Sequence, residues 1–345
     1  MSKKLHLILF FISASLLSGY SQDIHFSQYN ETPQFLNPAS TGVYSGYIRA
    51  IVNYKNQWMA MGKAYSTGAA SIDAPLFDKK ETKPYLGAGI NFFSDKAGES
   101  KFGLTQANVC LSVVVPMTRM SKISVGFSGG GAQHKANLEG LQWGNQYNGK
   151  GFDTNNPSFE EHPINSFTYF DLGAGIYYEY FSGKATMTRN EQKRFAIGFA
   201  CFHMNQPKQK YFMIEEKLYP KFVVSMNSHF DITGTRFSLL PSFACFIQKK
   251  SHEYNVGIVA RYRVRNGTKI TGFYSESGIA LGVNYRINDA FIPQVYYEIA
   301  DFAIGISYDY TTSKYASTAK FVGSIEVSLK YHIMKGAVMK NKDVI

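Results

Sequence analysis

Charge is scarce in this 345-residue chain: Asp, Glu, Lys and Arg together make 18% of it, low for a soluble protein of this length. Long apolar runs are also missing. Past residue 21 no uninterrupted apolar stretch approaches the roughly 20 residues a helix needs to cross a bilayer, which excludes a helical membrane protein. Cysteine is limited to Cys110, Cys201 and Cys245, all inside strand-like runs and without metal-ligand spacing, so no disulfide framework and no thiolate metal site is indicated. The histidines form no His-x-His and no His-Glu-x-x-His pair, and Gly173 and Gly175 lack the third glycine and the helix of a dinucleotide fingerprint. Gly126-Phe127-Ser128-Gly129-Gly130 has the spelling of a nucleophile elbow. That motif works only on a sharp strand-to-helix turn, whereas here it lies among the alternating residues Ile123, Val125 and Phe127, where glycine lets a strand bend or a neighbour come close. No enzyme chemistry, metal or cofactor follows from these patterns.

Period-two alternation is what the chain has in abundance. Ile279, Leu281, Val283 and Tyr285 interleave with Ala280, Gly282, Asn284 and Arg286; Phe302, Ile304, Ile306, Tyr308 and Tyr310 interleave with Ala303, Gly305, Ser307 and Asp309; Ile325, Val327, Leu329 and Tyr331 interleave with Ser324, Glu326, Ser328, Lys330 and His332. Each such segment carries one apolar and one polar face. The polar positions are mostly small, and Tyr often ends the apolar rows, as suits a lipid-facing wall around a wet lumen. With 24 Tyr, 27 Phe and only 2 Trp, the aromatic content fits the girdles of a transmembrane barrel. The sequence therefore predicts an all-β, antiparallel transmembrane β-barrel of outer-membrane type with about 14 strands, near 47–58, 65–74, 85–94, 103–115, 122–134, 168–180, 194–205, 221–231, 236–248, 253–264, 278–287, 291–299, 302–311 and 322–333. An even count returns both chain ends to the periplasmic side. The run 269–275 is a weaker candidate, and Pro241 sits awkwardly within its strand because proline cannot donate to a ladder.

The rest of the chain divides around this barrel. Lys3 and Lys4 precede an apolar core and then small residues, so 1–21 reads as a signal peptide cleaved after Ser21; its removal lowers the formal charge from +11 to +9. The remaining Lys and Arg are scattered, which indicates a basic lumen and rim and no nucleic-acid partner. Residues 22–46, with Pro33, Pro38 and Gly42, suit fixed turns; they either plug the lumen or lie below it in the periplasm. The barrel covers 47–333, and 334–345 form a basic tail. Connections after odd-numbered strands face outward; the longest of them, 135–167, carries Trp143, Gly144, Asn148, Gly149, Gly151, Asn155, Asn156 and Pro157, a solvated loop, recognition surface or lid.

Three stretches carry a family resemblance: Gln22-Asp23-Ile24-His25-Phe26-Ser27-Gln28-Tyr29 running into Leu36-Asn37-Pro38-Ala39 and Thr41-Gly42; Asn53-Tyr54-Lys55-Asn56-Gln57-Trp58; and Gly305-Ile306-Ser307-Tyr308-Asp309-Tyr310 with Ser313, followed by Gly323-Ser324-Ile325-Glu326. Together they resemble the PorP/SprF family of the Bacteroidetes type IX secretion system. The resemblance implies a non-enzymatic outer-membrane barrel that acts with secretion and gliding machinery, binds the C-terminal sorting domain of large secreted adhesins, anchors them at the cell surface and associates with periplasmic components. Two positions depart from the family: Lys55 replaces an arginine, losing the planar fork, and Ile325 replaces a histidine. Candidate partner-binding or motif residues are Asn37, Pro38, Gly42, Arg49, Asn53, Lys55, Asn56, Gln57, Trp58, Asp309, Ser313, Ser324 and Glu326. Alternation places Arg49, Asn53, Lys55 and Gln57 on the inward face of the first strand, and closure brings that strand beside the last, with Glu326 and Lys330: an inward charged seam. A diffusion porin or hydrophobic-solute channel is the alternative that alternation supports equally well.

Overall fold

The computed structural model describes residues 24–334 apart from 58–64, 78–82, 99, 101, 137–140, 154, 158–165, 183–191, 212–213, 266–276 and 313–322. The predicted signal peptide, the predicted basic tail beyond Met334, the run 269–275, Trp58 and Ser313 lie outside the described residues.

Fourteen antiparallel strands close on themselves in sequence order. They are β1 (Gly46–Gln57), β2 (Tyr65–Leu76), β3 (Tyr85–Ala97), β4 (Phe102–Pro116), β5 (Ser121–Lys135), β6 (Phe167–Ser182), β7 (Lys193–Phe202), β10 (Lys221–Asp231), β11 (Phe237–Gln248), β12 (Ser251–Arg265), β13 (Ser277–Arg286), β14 (Ala290–Ile299), β15 (Phe302–Thr311) and β16 (Ser324–Met334). Every segment read from alternation is a barrel strand, with ends shifted by a few residues. A small hairpin, β8 (Lys208–Tyr211) with β9 (Ile214–Lys217), forms a separate sheet in the connection between β7 and β10, with Gln209 reaching Tyr169 Oη on β6. It went unpredicted because its strands are four residues long and charged. Lys208 and Lys210 flank Glu215 there and hold its carboxyl below the usual range.

The wall follows the two-residue rhythm. On β15, Phe302, Ile304, Ile306, Tyr308 and Tyr310 face out while Ser307 and Asp309 are buried inside; on β16, Ile325, Val327 and Leu329 face out while Ser324, Glu326 and Ser328 are buried. An apolar exterior and a polar interior is the arrangement lipid demands, since closure also pairs every strand edge. Two prolines interrupt the ladders where a donor is missing. Pro241 is in register with Ile258 on β12, but the β10–β11 pairing skips from Asn227↔Ser242 to Phe230↔Leu239. Pro293 is in register with Val283 on β13, and the β14–β15 pairing skips from Phe291↔Tyr310 to Gln294↔Ser307. The awkward fit of Pro241 is thus accommodated by a local gap in one ladder while the register continues on either side.

The two mouths differ. One, the terminal mouth, is where β1 begins and β16 ends; the tight turn Asp231-Ile232-Thr233-Gly234, with Gly234 at φ +77°, also lies there. The other, the loop mouth, carries the two longest connections, 136–166 and 203–220, alongside the two-residue turn Lys249-Lys250. Of the two expectations for the N-terminal segment, plugging is the one realised. Residues 24–45 run inside the bore as a strap of short helical turns, Tyr29–Glu31, Pro33–Leu36 and Pro38–Ser40, and then enter β1. Gln28, Tyr29, Ala39 and Thr41 are each no more than 2% exposed.

Candidate functional site

A strap made of turns cannot satisfy its own backbone, so the wall has to supply partners for its amides and carbonyls. Near the terminal mouth that partner is Asp73 on β2. Its carboxylate accepts the Gly42 N–H at 2.7 Å and both arms of the Arg49 guanidinium, Nε at 2.9 Å and Nη2 at 2.8 Å, while its backbone carbonyl accepts the Tyr44 hydroxyl at 2.6 Å. Arg49 also donates to Ser40 O at 3.3 Å and lies over the Tyr44 ring. Gly42 has φ +69°, and a Cβ there would sit 2.8 Å from Gly87 Cα, so both its conformation and its close approach require glycine.

Midway, Asn37 closes the turn before Pro38. Its Oδ1 accepts the Ala39 N–H at 2.8 Å and its Nδ2 donates to the carbonyls of Ile176 and Phe199 on β6 and β7. Pro38 opens the following turn, with φ preset for it. Ala39 packs against Gly126, where a Cβ would come 2.5 Å from Ala39 Cα. The Gly-x-Ser-x-Gly match is therefore a landing place for the strap within β5. Elsewhere around the wall, Tyr29 Oη is 2.8 Å from Ser242 Oγ on β11, and Gln34 donates to Ile72 O on β2 at 3.1 Å.

Toward the loop mouth, the first and last strands converge on the strap. Lys55 and Glu326 are in register across the closing pair. Glu326, wholly buried, accepts the backbone N–H of Ser27 at 2.6 Å and of Gln28 at 3.2 Å, with Asn53 Nδ2 at 3.5 Å. Asp309 accepts the Ser27 hydroxyl at 2.7 Å and is flanked by Arg286 at 3.0 Å and Lys55 Nζ at 3.4 Å; the same ammonium also reaches His25 O. The Gln28 amide bridges β15 and β16 through Ser307, Ser328 and the Glu326 carbonyl, and Lys330 pairs with Glu31 at 2.9 Å. Buried carboxylates of this kind persist only when charge and hydrogen bonds surround them. A small cleft lined by Ile24, His25, Lys221, Phe246, Gln248, Ser251 and Glu253 opens where the strap meets this mouth.

The predicted inward seam thus exists, and what it grips is the protein's own N-terminal segment. Asn37, Pro38, Gly42, Arg49, Asn53, Lys55, Asp309 and Glu326 all belong to one strap-and-wall interface. Ser324 is buried at the start of β16 opposite Gln57. Asn56 stands apart, on the other face of β1 opposite Ile325. Ile325 itself faces out and is 43% exposed, so the residue type that departs from the family pattern sits on the lipid side. Lys55 contacts Asp309 as a point charge, and the forked contacts come from Arg49 on Asp73. Sequence reasoning missed Asp73, Asn284 and Arg286, and Ser27 and Gln28 as their counterparts; Asn284 donates to Ser27 O at 3.0 Å. The available signal was an alternation face holding Asp, Arg, Asn and Gln, groups that inside a barrel need partners or water. Among the described residues no three His, Cys, Asp or Glu side chains are grouped to hold a metal.

Comparison with known proteins follows the same line. No curated protein matches the chain. Among solved structures, the toluene transporter TbuX of Ralstonia pickettii is similar over 88% of this chain and 94% of its own at 12% identity and TM-score 0.44. The outer membrane protein Omp33 of Acinetobacter baumannii is similar over 85% and 100% at 7% identity and TM-score 0.39. These likenesses are too distant to bear on function. The family model for the type IX secretion system membrane protein PorP/SprF matches residues 18–331. This lipid-faced, strap-filled cylinder is an outer-membrane protein, and the chain belongs to the PorP/SprF family of type IX secretion.

Proposed function

We propose that this protein is a non-catalytic anchor: a barrel that binds the C-terminal sorting domain of a secreted multidomain adhesin, holds it at the cell surface, and works with periplasmic components of the type IX secretion and gliding machinery. The observation that carries this reading is the filled bore. Polar side chains that in a porin would line a water path instead bind residues 24–45, from Asp73 on Gly42 to Glu326 on Ser27. A barrel closed in this way offers partners its mouths rather than a conduit. The loop mouth, with its long connections and the cleft beside His25, is the surface suited to exported cargo, because loops on a rigid scaffold are where recognition concentrates. Family membership supplies the secretion context.

Affinity purification from native membranes followed by mass spectrometry tests the proposal. A secreted multidomain adhesin, or periplasmic secretion proteins, should be recovered with the barrel. Recovery of the barrel alone under conditions that preserve other membrane complexes counts against it.

A further inference from the structure

The order of contacts along the strap fixes the direction in which it threads the bore. Gly42 and Thr41 meet Asp73, Gly87 and Ser112 near the terminal mouth. Asn37 meets β6 and β7 at mid-height, and Tyr29 meets Ser242. Ser27 meets Glu326 and Asp309 toward the far ends of β16 and β15. Ile24 and His25 line the cleft with Gln248 and Ser251, on either side of the Lys249-Lys250 turn, at the loop mouth. Between these ends the strap doubles on itself, with the Phe26 and Phe35 rings 6.1 Å apart, but its two ends stay at opposite mouths. In outer-membrane barrels with an even number of strands, the terminal mouth faces the periplasm and the longer loops face outward.

We propose that the strap crosses the membrane inside the barrel from the periplasmic mouth at Ser45 to the outer mouth at Ile24, so that Ile24 is presented at the cell surface. Because Ser27 and Gln28 are held by β15 and β16 while Lys55 on β1 reaches His25 O, the strap lies across the closing seam.

Sidedness of two single cysteines tests this directly. Ile24→Cys and Ser45→Cys are expressed in native cells and treated with a membrane-impermeant maleimide before and after outer-membrane permeabilisation, with the parent protein reporting any reaction of Cys110, Cys201 and Cys245. Ile24→Cys should label several-fold above the parent in intact cells, and Ser45→Cys only after permeabilisation. An epitope inserted between Asp23 and Ile24 gives a second reading and should bind antibody on intact cells. Labelling of Ser45→Cys in intact cells, or exposure of the inserted epitope only after permeabilisation, overturns the proposal.

Discussion

Replacing Glu326 by Ala removes the group that ties the strap to the closing seam. The Ser27 and Gln28 amides, 2.6 and 3.2 Å from its oxygens, would lose their acceptor in a site where no solvent reaches the side chain, and Lys55 would lose a neighbouring negative charge. Hydrogen bonds to a charged group are worth about 1.5–3 kcal/mol each. Removing one partner of a buried charged cluster costs roughly 3–5 kcal/mol, and the two figures describe the same loss and do not add. At 1.4 kcal/mol per factor of ten, opening of this part of the strap should become about a hundred- to several-thousand-fold more frequent. Hydrogen exchange with mass spectrometry reads the affected amides themselves: peptides covering 24–31 should lose protection by that factor, while barrel strands such as β4 and β5 keep theirs. Glu326→Gln retains one acceptor without the charge and should lose roughly ten- to a hundred-fold. It is also the informative variant if the alanine protein fails to assemble. Wild-type protection of 24–31 in both variants would refute the latch, and would return Glu326 to the role of a binding residue.

Other sites carry their own expected outcomes. Asp73→Ala should loosen the terminal-mouth end of the strap by about 3–5 kcal/mol, seen as raised exchange in 40–45. Gly126→Leu places a branched side chain where even a Cβ would approach Ala39 to 2.5 Å; strap displacement or assembly failure should follow, whereas Gly131→Ala, with open space around it, should be neutral in heat-modifiability on gels. Ile306→Lys puts a cation on the lipid face of β15 and should destabilise the folded barrel by about 2–4 kcal/mol if it lies at the bilayer midplane, measured by urea unfolding in lipid vesicles. Asn37→Ala leaves the Ala39 amide without its acceptor and removes the side-chain donor to the wall carbonyls of Ile176 and Phe199, and should cost about 1–3 kcal/mol, read as faster exchange in 36–43.

The barrel was legible because lipid on one side and a polar bore on the other impose a rhythm that single residues carry: Phe302 to Tyr310 and Ile325 to Tyr331 announce their faces without any knowledge of neighbours. Closure then made it predictable that the first and last strands meet with Lys55 and Glu326 on the inward face, whereas the register that sets the two opposite each other came from the structure. The strap was harder to place. Pro33, Asn37, Pro38 and Gly42 announce turns, but turns suit a periplasmic segment as well as a plug, and the deciding information lies in contacts spanning most of the chain, such as Ser27 with Glu326. Asp73 escaped notice for the same reason: an inward carboxylate on β2 acquires meaning only when Gly42 and Arg49 arrive at it. The hairpin β8–β9 was missed because four-residue charged strands leave no periodic trace.

The most direct test of the central claim, that residues 24–45 close the bore, is single-channel recording of the purified whole protein in planar bilayers with no partner added. The filled lumen predicts no steady open conductance. A stable open channel in the wild-type protein would contradict it and favour a diffusion pore.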